Sequence, residues 1–243
     1  MAVSLVADNL LRLTDAQPNQ SNFVLFSNPV ASTEGLSIRF DLYAYGGSGA
    51  DGLSCFLVDG AVSPDKAGGT GGSLGYAPRL SATSALSNTG LLGGYIGVGF
   101  DEFGNYSQAT QGRTGGPGFT PEAVAVRGSQ ANSYRYLTGN QLLSSLDNPG
   151  DTATRDASRR KVQIDVSAQG VLTVQIDVNN DGDFLDADER PIDQYDLVAN
   201  GNGNLPATIK FGFAAATGVK TNIHEVGNIT VTTANGTPLS GNL

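Results

Sequence analysis

The chain of 243 residues has no tryptophan, one cysteine, one histidine and one methionine. A single cysteine excludes an internal disulfide. Cys55 sits in the apolar run LSCFLV, where it reads as a small buried hydrophobe. A nucleophilic role would require a base beside it, and His224 is the sole histidine. Charge is scarce at 15% of residues, and positive charge scarcer: 14 Lys and Arg face 23 Asp and Glu, for a net charge of −9. Such a chain repels a phosphate backbone, so no nucleic-acid partner is expected. No apolar run approaches the ~18 residues of a membrane-spanning helix, so membrane insertion is not expected. The opening MAVSLVADNL lacks the basic start and long apolar stretch of a signal peptide. With its polar tail, TTANGTPLSGNL, the chain reads as a piece of a larger, multidomain protein or as a mature form with an added Met.

Glycine is abundant, with 33 copies scattered along the chain, which implies many turns and close backbone approaches. Short alternating or apolar segments lie between the turn residues. Strands are expected at 23–26, 36–44, 53–58, 95–100, 123–127, 161–166, 171–178, 209–215 and 229–233. KVQIDV and VLTVQIDV alternate cleanly, and the Ser-Ala-Gln-Gly between them predicts a hairpin. Helix is hinted at only in SLVADNLLRL and at 141–146. Nothing resembles a linker, and no period of 20–50 residues is visible. The expectation is one all-β domain over residues 1–243, an antiparallel two-sheet β-sandwich.

The sharpest local motif is DVNNDGDFLDAD, residues 177–188. Side-chain oxygens recur at positions one, three and five, glycine is sixth, and an acid is twelfth. This is the spacing of a twelve-residue calcium loop, with Asp177, Asn179, Asp181, the main chain of Asp183 and Asp188 as ligands. A metal-free Asn-Asp-Gly hairpin is the alternative. Five clustered acids repel one another without a cation, which favours calcium as a staple for the hairpin.

Three further stretches carry a resemblance when taken in order: GADGLSCFLVDG at 49–60, GGSLGYA at 71–77 and GGYIGVGFDEFGN at 93–105. The set is similar to the L-type (legume-lectin-like, concanavalin A-like) carbohydrate-recognition domain. ATIKFGFAAATG and IHEVGNITV resemble that family's closing strands, so the likeness runs from about 23 to 231. It implies a jelly-roll sandwich that binds a sugar at one end of its sheets. Asp51, after a cis Ala50–Asp51 peptide, would accept hydrogen bonds from sugar hydroxyls. Gly72 would offer its backbone N–H, Asn105 its amide, and the residues after Gly218 a specificity loop. Phe103 or Tyr106 would stack on the sugar. Asp101, the main chain of Phe103, and Asn105 stand where the family holds calcium. The resemblance also implies a non-ligating role for His224, and a satisfied structural histidine is expected there.

The departures from the family pattern carry information too. Its acidic residue before the Phe-Asp step is Gly99, its second bridging aspartate is Gln108, and its metal-ligating histidine is Thr114. The transition-metal site is therefore expected to be lost. Glu102 adds a carboxylate that the plant pattern lacks. The wider pattern, GFDEFGN then GGPGFTPEAVAVRGS, is closer to lectin-like domains of bacterial surface and secreted proteins. The leading expectation is a non-catalytic, calcium-associated glycan- or polysaccharide-binding module of an extracellular or cell-surface adhesin. A structural or protein-binding sandwich is the alternative. A glycoside hydrolase is disfavoured, because the paired carboxylates it needs, about 5–9.5 Å apart, would fall at Gly99, Phe103 and Gly104.

Overall fold

A computed structural model describes residues 3–7, 9–81, 83, 85–150 and 152–239; the first two residues and the end of the polar tail, 240–243, lie outside it. Thirteen strands are present among the described residues: β1 Ser4–Ala7, β2 Leu10–Thr14, β3 Ser21–Ala31, β4 Leu36–Tyr45, β5 Gly52–Asp59, β6 Gly94–Asp101, β7 Ala123–Arg127, β8 Tyr136–Gln141, β9 Arg160–Val166, β10 Val171–Asp177, β11 Ile192–Asp196, β12 Thr208–Ala216 and β13 Ile223–Thr232. They form an antiparallel sandwich of seven strands (β1-β2-β13-β4-β9-β10-β11) and six strands (β3-β12-β5-β6-β7-β8).

Alternation explains which side chains fill the space between the sheets. In β9, Val162, Ile164 and Val166 point inward while Lys161, Gln163 and Asp165 do not. The main core joins Phe40, Phe100, Phe211 and Phe213 to aliphatic residues of both sheets, and the Phe40 and Phe213 rings meet edge-to-face at 4.8 Å. Cys55 is buried in this core, and burial pushes its thiol pKa up, so it stays an inert hydrophobe.

A second, smaller core lies on the other face of the six-stranded sheet. There Gly97 and Gly99 leave room for tyrosine rings: a Cβ on Gly97 would sit 2.3 Å from Tyr76 and one on Gly99 2.5 Å from Tyr106. The long connection between β5 and β6 supplies Leu74, Tyr76, Ala77 and Leu91 to this core.

Neither expected helix forms. SLVADNLLRL folds into β1 and β2, with Asn9 in the left-handed region at φ 59° to turn the chain. At 141–146 the backbone amides of Leu142 and Leu146 bond the Glu122 carbonyl and carboxylate, at 2.7 and 2.6 Å, so an apolar spacing that suits a helix serves a loop instead. Strands β8 and β11 were not expected. Both are polar strands at sheet edges, where burial imposes little alternation.

Candidate functional site

Register brings separate segments to one end of the six-stranded sheet. Gly52 at the start of β5 pairs with Asp101 at the end of β6 and with Ala216 at the end of β12. Asp51 therefore lies between the loop after β6 and the loop after β12. The Ala50–Asp51 peptide is cis. The Asp51 carbonyl accepts the Glu102 amide at 3.1 Å, and Gly71 N–H reaches the Thr217 carbonyl at 3.1 Å. Glycines make this junction possible. A Cβ on Gly72 would lie 2.1 Å from that of Asn105, and one on Gly218 would lie 2.9 Å from Asp51 Oδ2. The result is an open pocket of about 260 Å³ with Asp51, Gly72, Phe103 and Asn105 in its walls.

Asp51 is 4% exposed, and its Oδ2 is buried without a hydrogen-bond partner. Burial raises its pKa to about 7 and the Glu102 charge adds to the rise, while His224 and Arg113 oppose it. A pocket-lining carboxylate with an oxygen left without a donor is a candidate acceptor for a hydroxyl.

Tyr106, expected to stack on a ligand, is instead fully buried. Its ring covers Gly99, its hydroxyl donates to the Gly97 carbonyl at 3.1 Å, and the Arg127 guanidinium lies 5.4 Å from its centroid. The ring occupies the space opened by glycine at position 99. Phe103 is half-buried and packs edge-to-face on Phe119 at 5.4 Å, so of these two aromatics it alone lines the pocket.

The loop after β6 is held from within. Asp101 is fully buried and accepts the Gly104 amide at 2.8 Å and the Tyr106 amide at 2.7 Å, one on each oxygen. Burial lifts its pKa to about 8 against the pull of those amides. Arg127, also fully buried, donates to the carbonyls of Tyr106 (2.7 Å), Thr114 (2.9 Å), Gln108 (3.0 Å) and Tyr134 (2.9 Å). Burial lowers its pKa to about 10, which leaves it charged at neutral pH. One guanidinium thus gathers the backbone at Gln108 and Thr114, two positions where metal ligands were expected to be missing. At Asp101, Phe103 and Asn105, where a second calcium was expected, Asp101 is the one carboxylate, and each of its oxygens already accepts a backbone amide.

Glu102 does not join Asp101. The strand pleat turns it away from Asp101 and into a buried polar chain. Its Oε1 lies 2.8 Å from His224 Nε2, and its Oε2 accepts from Asn222 Nδ2 at 2.8 Å. The same Asn222 amide donates to Asp147 Oδ2 at 2.7 Å, and Asn222 Oδ1 accepts the Gly47 amide at 2.9 Å. Thr14 Oγ1 donates to the Asn222 carbonyl at 3.1 Å, so its contact with His224 Nδ1 at 2.6 Å requires a proton on Nδ1. His224 is a satisfied structural histidine. Asn222, Asp147 and Thr14 could not be found by motif, since their partners lie 75 to 210 residues away.

At the C-terminal end of β10, the 177–189 loop gathers acids. Carboxylate oxygens of Asp177, Asp181 and Glu189 lie within 4.8 Å of one another. Asp177 accepts the amides of Asp181 (3.2 Å) and Gly182 (3.0 Å), which curls the loop inward. Asn179 donates to Asp181 at 3.1 Å and to Asp186 at 2.6 Å. Asp188, expected as the twelfth-position ligand, stands outside the group, and Glu189 takes its place. Glu189 is buried beneath the loop, where it accepts the amides of Val178 at 3.1 Å and Asp186 at 3.3 Å. Asp183 is exposed, and its amide bonds Asp181. A hard cation that takes oxygen ligands fits this set.

No protein-family description and no curated protein matches the chain. Solved structures do. The VIP36 exoplasmic/lumenal domain in its Ca2+/Man-bound form is 14% identical, with 96% of this chain and 81% of that one covered and a TM-score of 0.58. Lectin I-B4 from Griffonia simplicifolia in metal-free form is 18% identical, with 95% and 90% covered and a TM-score of 0.58. The fold is that of an L-type lectin domain. The Lotus tetragonolobus seed lectin shares it at 16% identity, with the same coverage and TM-score as lectin I-B4. These neighbours of the L-type lectin fold are carbohydrate-binding proteins.

Proposed function

We propose that this chain is a non-catalytic carbohydrate-binding module, and that it works as part of a larger adhesin-type protein outside the cytoplasm. The observation that carries the reading is Asp51, a buried carboxylate with an orphaned oxygen, in a pocket walled by Gly72, Asn105 and Phe103. Sugar hydroxyls would donate to Asp51 and accept from the Asn105 amide, with Phe103 against the apolar face of the ring. The likeness to mannose-bound VIP36 supports a glycan ligand. The pocket has one carboxylate in its walls, and the nearest others, Asp101 and Glu102, are fully hydrogen-bonded behind it; this supports binding without hydrolysis.

Calcium belongs to the 177–189 hairpin in this reading, held by Asp177, Asp181 and Glu189. It would neutralise mutual repulsion there and staple the loop. A glycan array probed with the parent, Asp51→Asn and Asn105→Ala tests the reading. Binding by the parent should weaken by about tenfold or more in Asp51→Asn, the equivalent of a charge-assisted bond of ~1.5–3 kcal/mol. A parent that binds no glycan would leave a structural or protein-binding sandwich as the better account.

A further inference from the structure

Two cations stand at the rim of the Asp51 pocket, in a chain with nine more negative than positive charges. Among the described residues, neither Arg79 nor Lys220 forms a salt bridge, whereas Arg12 and Arg155 are both paired with Glu225. The point where a Cβ would sit on Gly71 is 3.7 Å from Arg79 Nη1 and 3.9 Å from both Asp51 oxygens, so the guanidinium and the carboxylate face the same small space.

Arg79 is held in place. Its backbone pairs in both directions with Asn88 at 2.8 Å, its Nη1 donates to Thr70 Oγ1, and Gly69 packs directly under its Cβ. One donor of a rigid fork is used, and the others are available. Lys220 is exposed, and its ammonium rests 5.4 Å from the centre of the Phe103 ring. An exposed cation–π contact of about 0.5–1 kcal/mol is weaker than a charge-assisted hydrogen bond, so the ammonium is free to leave for an anion. Its neighbour Val219 is 92% exposed, so no packing holds this loop tip over the pocket.

Resting on the carbohydrate reading, we infer that the pocket selects sugars bearing an anionic group, a carboxylate or a sulfate ester, which Arg79 and Lys220 hold while ring hydroxyls engage Asp51 and Asn105. A neutral sugar would use Asp51 and Asn105 and leave both cations idle. Burial also suits Asp51 to this ligand, since a carboxyl shared with a proton near neutrality repels an anion less than a fully ionised one.

The test is calorimetric titration with matched pairs: a galacturonate oligosaccharide against its methyl ester, sialyllactose against lactose, and a sulfated disaccharide against its unsulfated parent. The quantity read is the ratio of acidic to neutral affinity. The parent should favour the acidic member of at least one pair by about tenfold, equivalent to one charge-assisted contact, and added salt should erode the preference. Arg79→Gln and Lys220→Gln should each cut the ratio several-fold, and the double variant should bring it near one, with melting temperature unchanged. Asp51→Asn should weaken both members of a pair. Equal binding of acidic and neutral members, or a preference that survives in the double variant, overturns the inference and leaves the carbohydrate reading standing. Failure to bind either member of any pair removes both.

Discussion

Two loops of this protein collect acidic residues and solve the problem in opposite ways. In the loop after β6, Asp101 spends both oxygens on backbone amides, Glu102 turns inward to His224 and Asn222, and Arg127 draws four carbonyls together. There the chain itself supplies a donor to every oxygen of both carboxylates. In the 177–189 loop, three carboxylates converge within 4.8 Å, while the guanidinium bonded to the loop, Arg159, goes to Asn180 Oδ1. No salt bridge to the three carboxylates forms among the described residues, and an ion from solution is the simplest source of neutralising charge. The difference teaches that acidic residues in a loop do not identify a metal site; what matters is whether several carboxylates converge on one point, as Asp177, Asp181 and Glu189 do and Asp101 and Glu102 do not.

The largest effect that would break this comparison is at Arg127. Arg127→Ala removes the guanidinium from four carbonyls and should destabilise the fold by about 3–5 kcal/mol, since each buried acceptor left without its donor costs ~1–3 kcal/mol. Glycan binding should fall with it. Denaturant unfolding read beside a binding titration checks both, and an Arg127→Ala protein with parental stability would mean that the loop is held by something else.

Calcium comes next. Saturating calcium should stabilise the protein by about 2.7 kcal/mol at a hundred times its dissociation constant, if it binds only the folded state. Glu189→Gln should abolish the rise in melting temperature and Asp188→Asn should leave most of it. The reverse ranking would restore the ligand assignment that the twelve-residue spacing suggests.

Solution pH separates the groups further. Asp51 has its pKa raised to about 7, mainly by burial. Sugar hydroxyls favour its ionised form, so affinity for a neutral glycan should climb between about pH 5 and 7 and level off above. Binding should release a proton, visible as a calorimetric heat that depends on the buffer. Glu102, His224 and Arg113 lie around this carboxyl, and Arg79 and Lys220 at the rim, so any offset from pH 7 reports on them.

Stability runs the other way. Asp51, Asp101 (about 8) and Glu122 (about 7) are all raised above their unfolded values near 4, so the folded state holds more protons. Their contribution is lost as pH rises from about 4 through 8. The free protein should melt several degrees lower at pH 8 than at pH 5. The smallest effect is at Tyr106→Phe, which should cost about 1 kcal/mol for the lost bond to Gly97 and leave glycan affinity untouched.

The sandwich was legible in the sequence because burial on one face imposes alternation, as in KVQIDV and LSIRFDLYAY. It was not legible in YLTGNQ and IDQYD, which sit at edges and bury little. SLVADNLLRL misled because leucines three apart, at 10 and 13, satisfy a helix and a tight hairpin equally. At the site, Asp51, Gly72, Phe103 and Asn105 were readable from ordered motifs. Tyr106 was misplaced because the consequence of glycine at 99, a hole that a ring must fill, appears only in three dimensions. Arg127, Arg79 and Lys220 carry no motif at all. Their roles come from which carbonyls and which pocket the fold brings to them. Glu189 was missed by one position, since the loop turns its thirteenth residue inward rather than its twelfth.

One measurement bears most directly on the central claim that the site loop needs no metal while the hairpin does. A glycan bound by the parent protein is titrated in excess chelator and again in excess calcium, with melting temperature recorded in both. The account predicts the same glycan affinity in the two conditions and a higher melting temperature in calcium. Glycan binding that disappears in chelator and returns with calcium would contradict it, and would place the ion beside Asp101 and Asn105 after all.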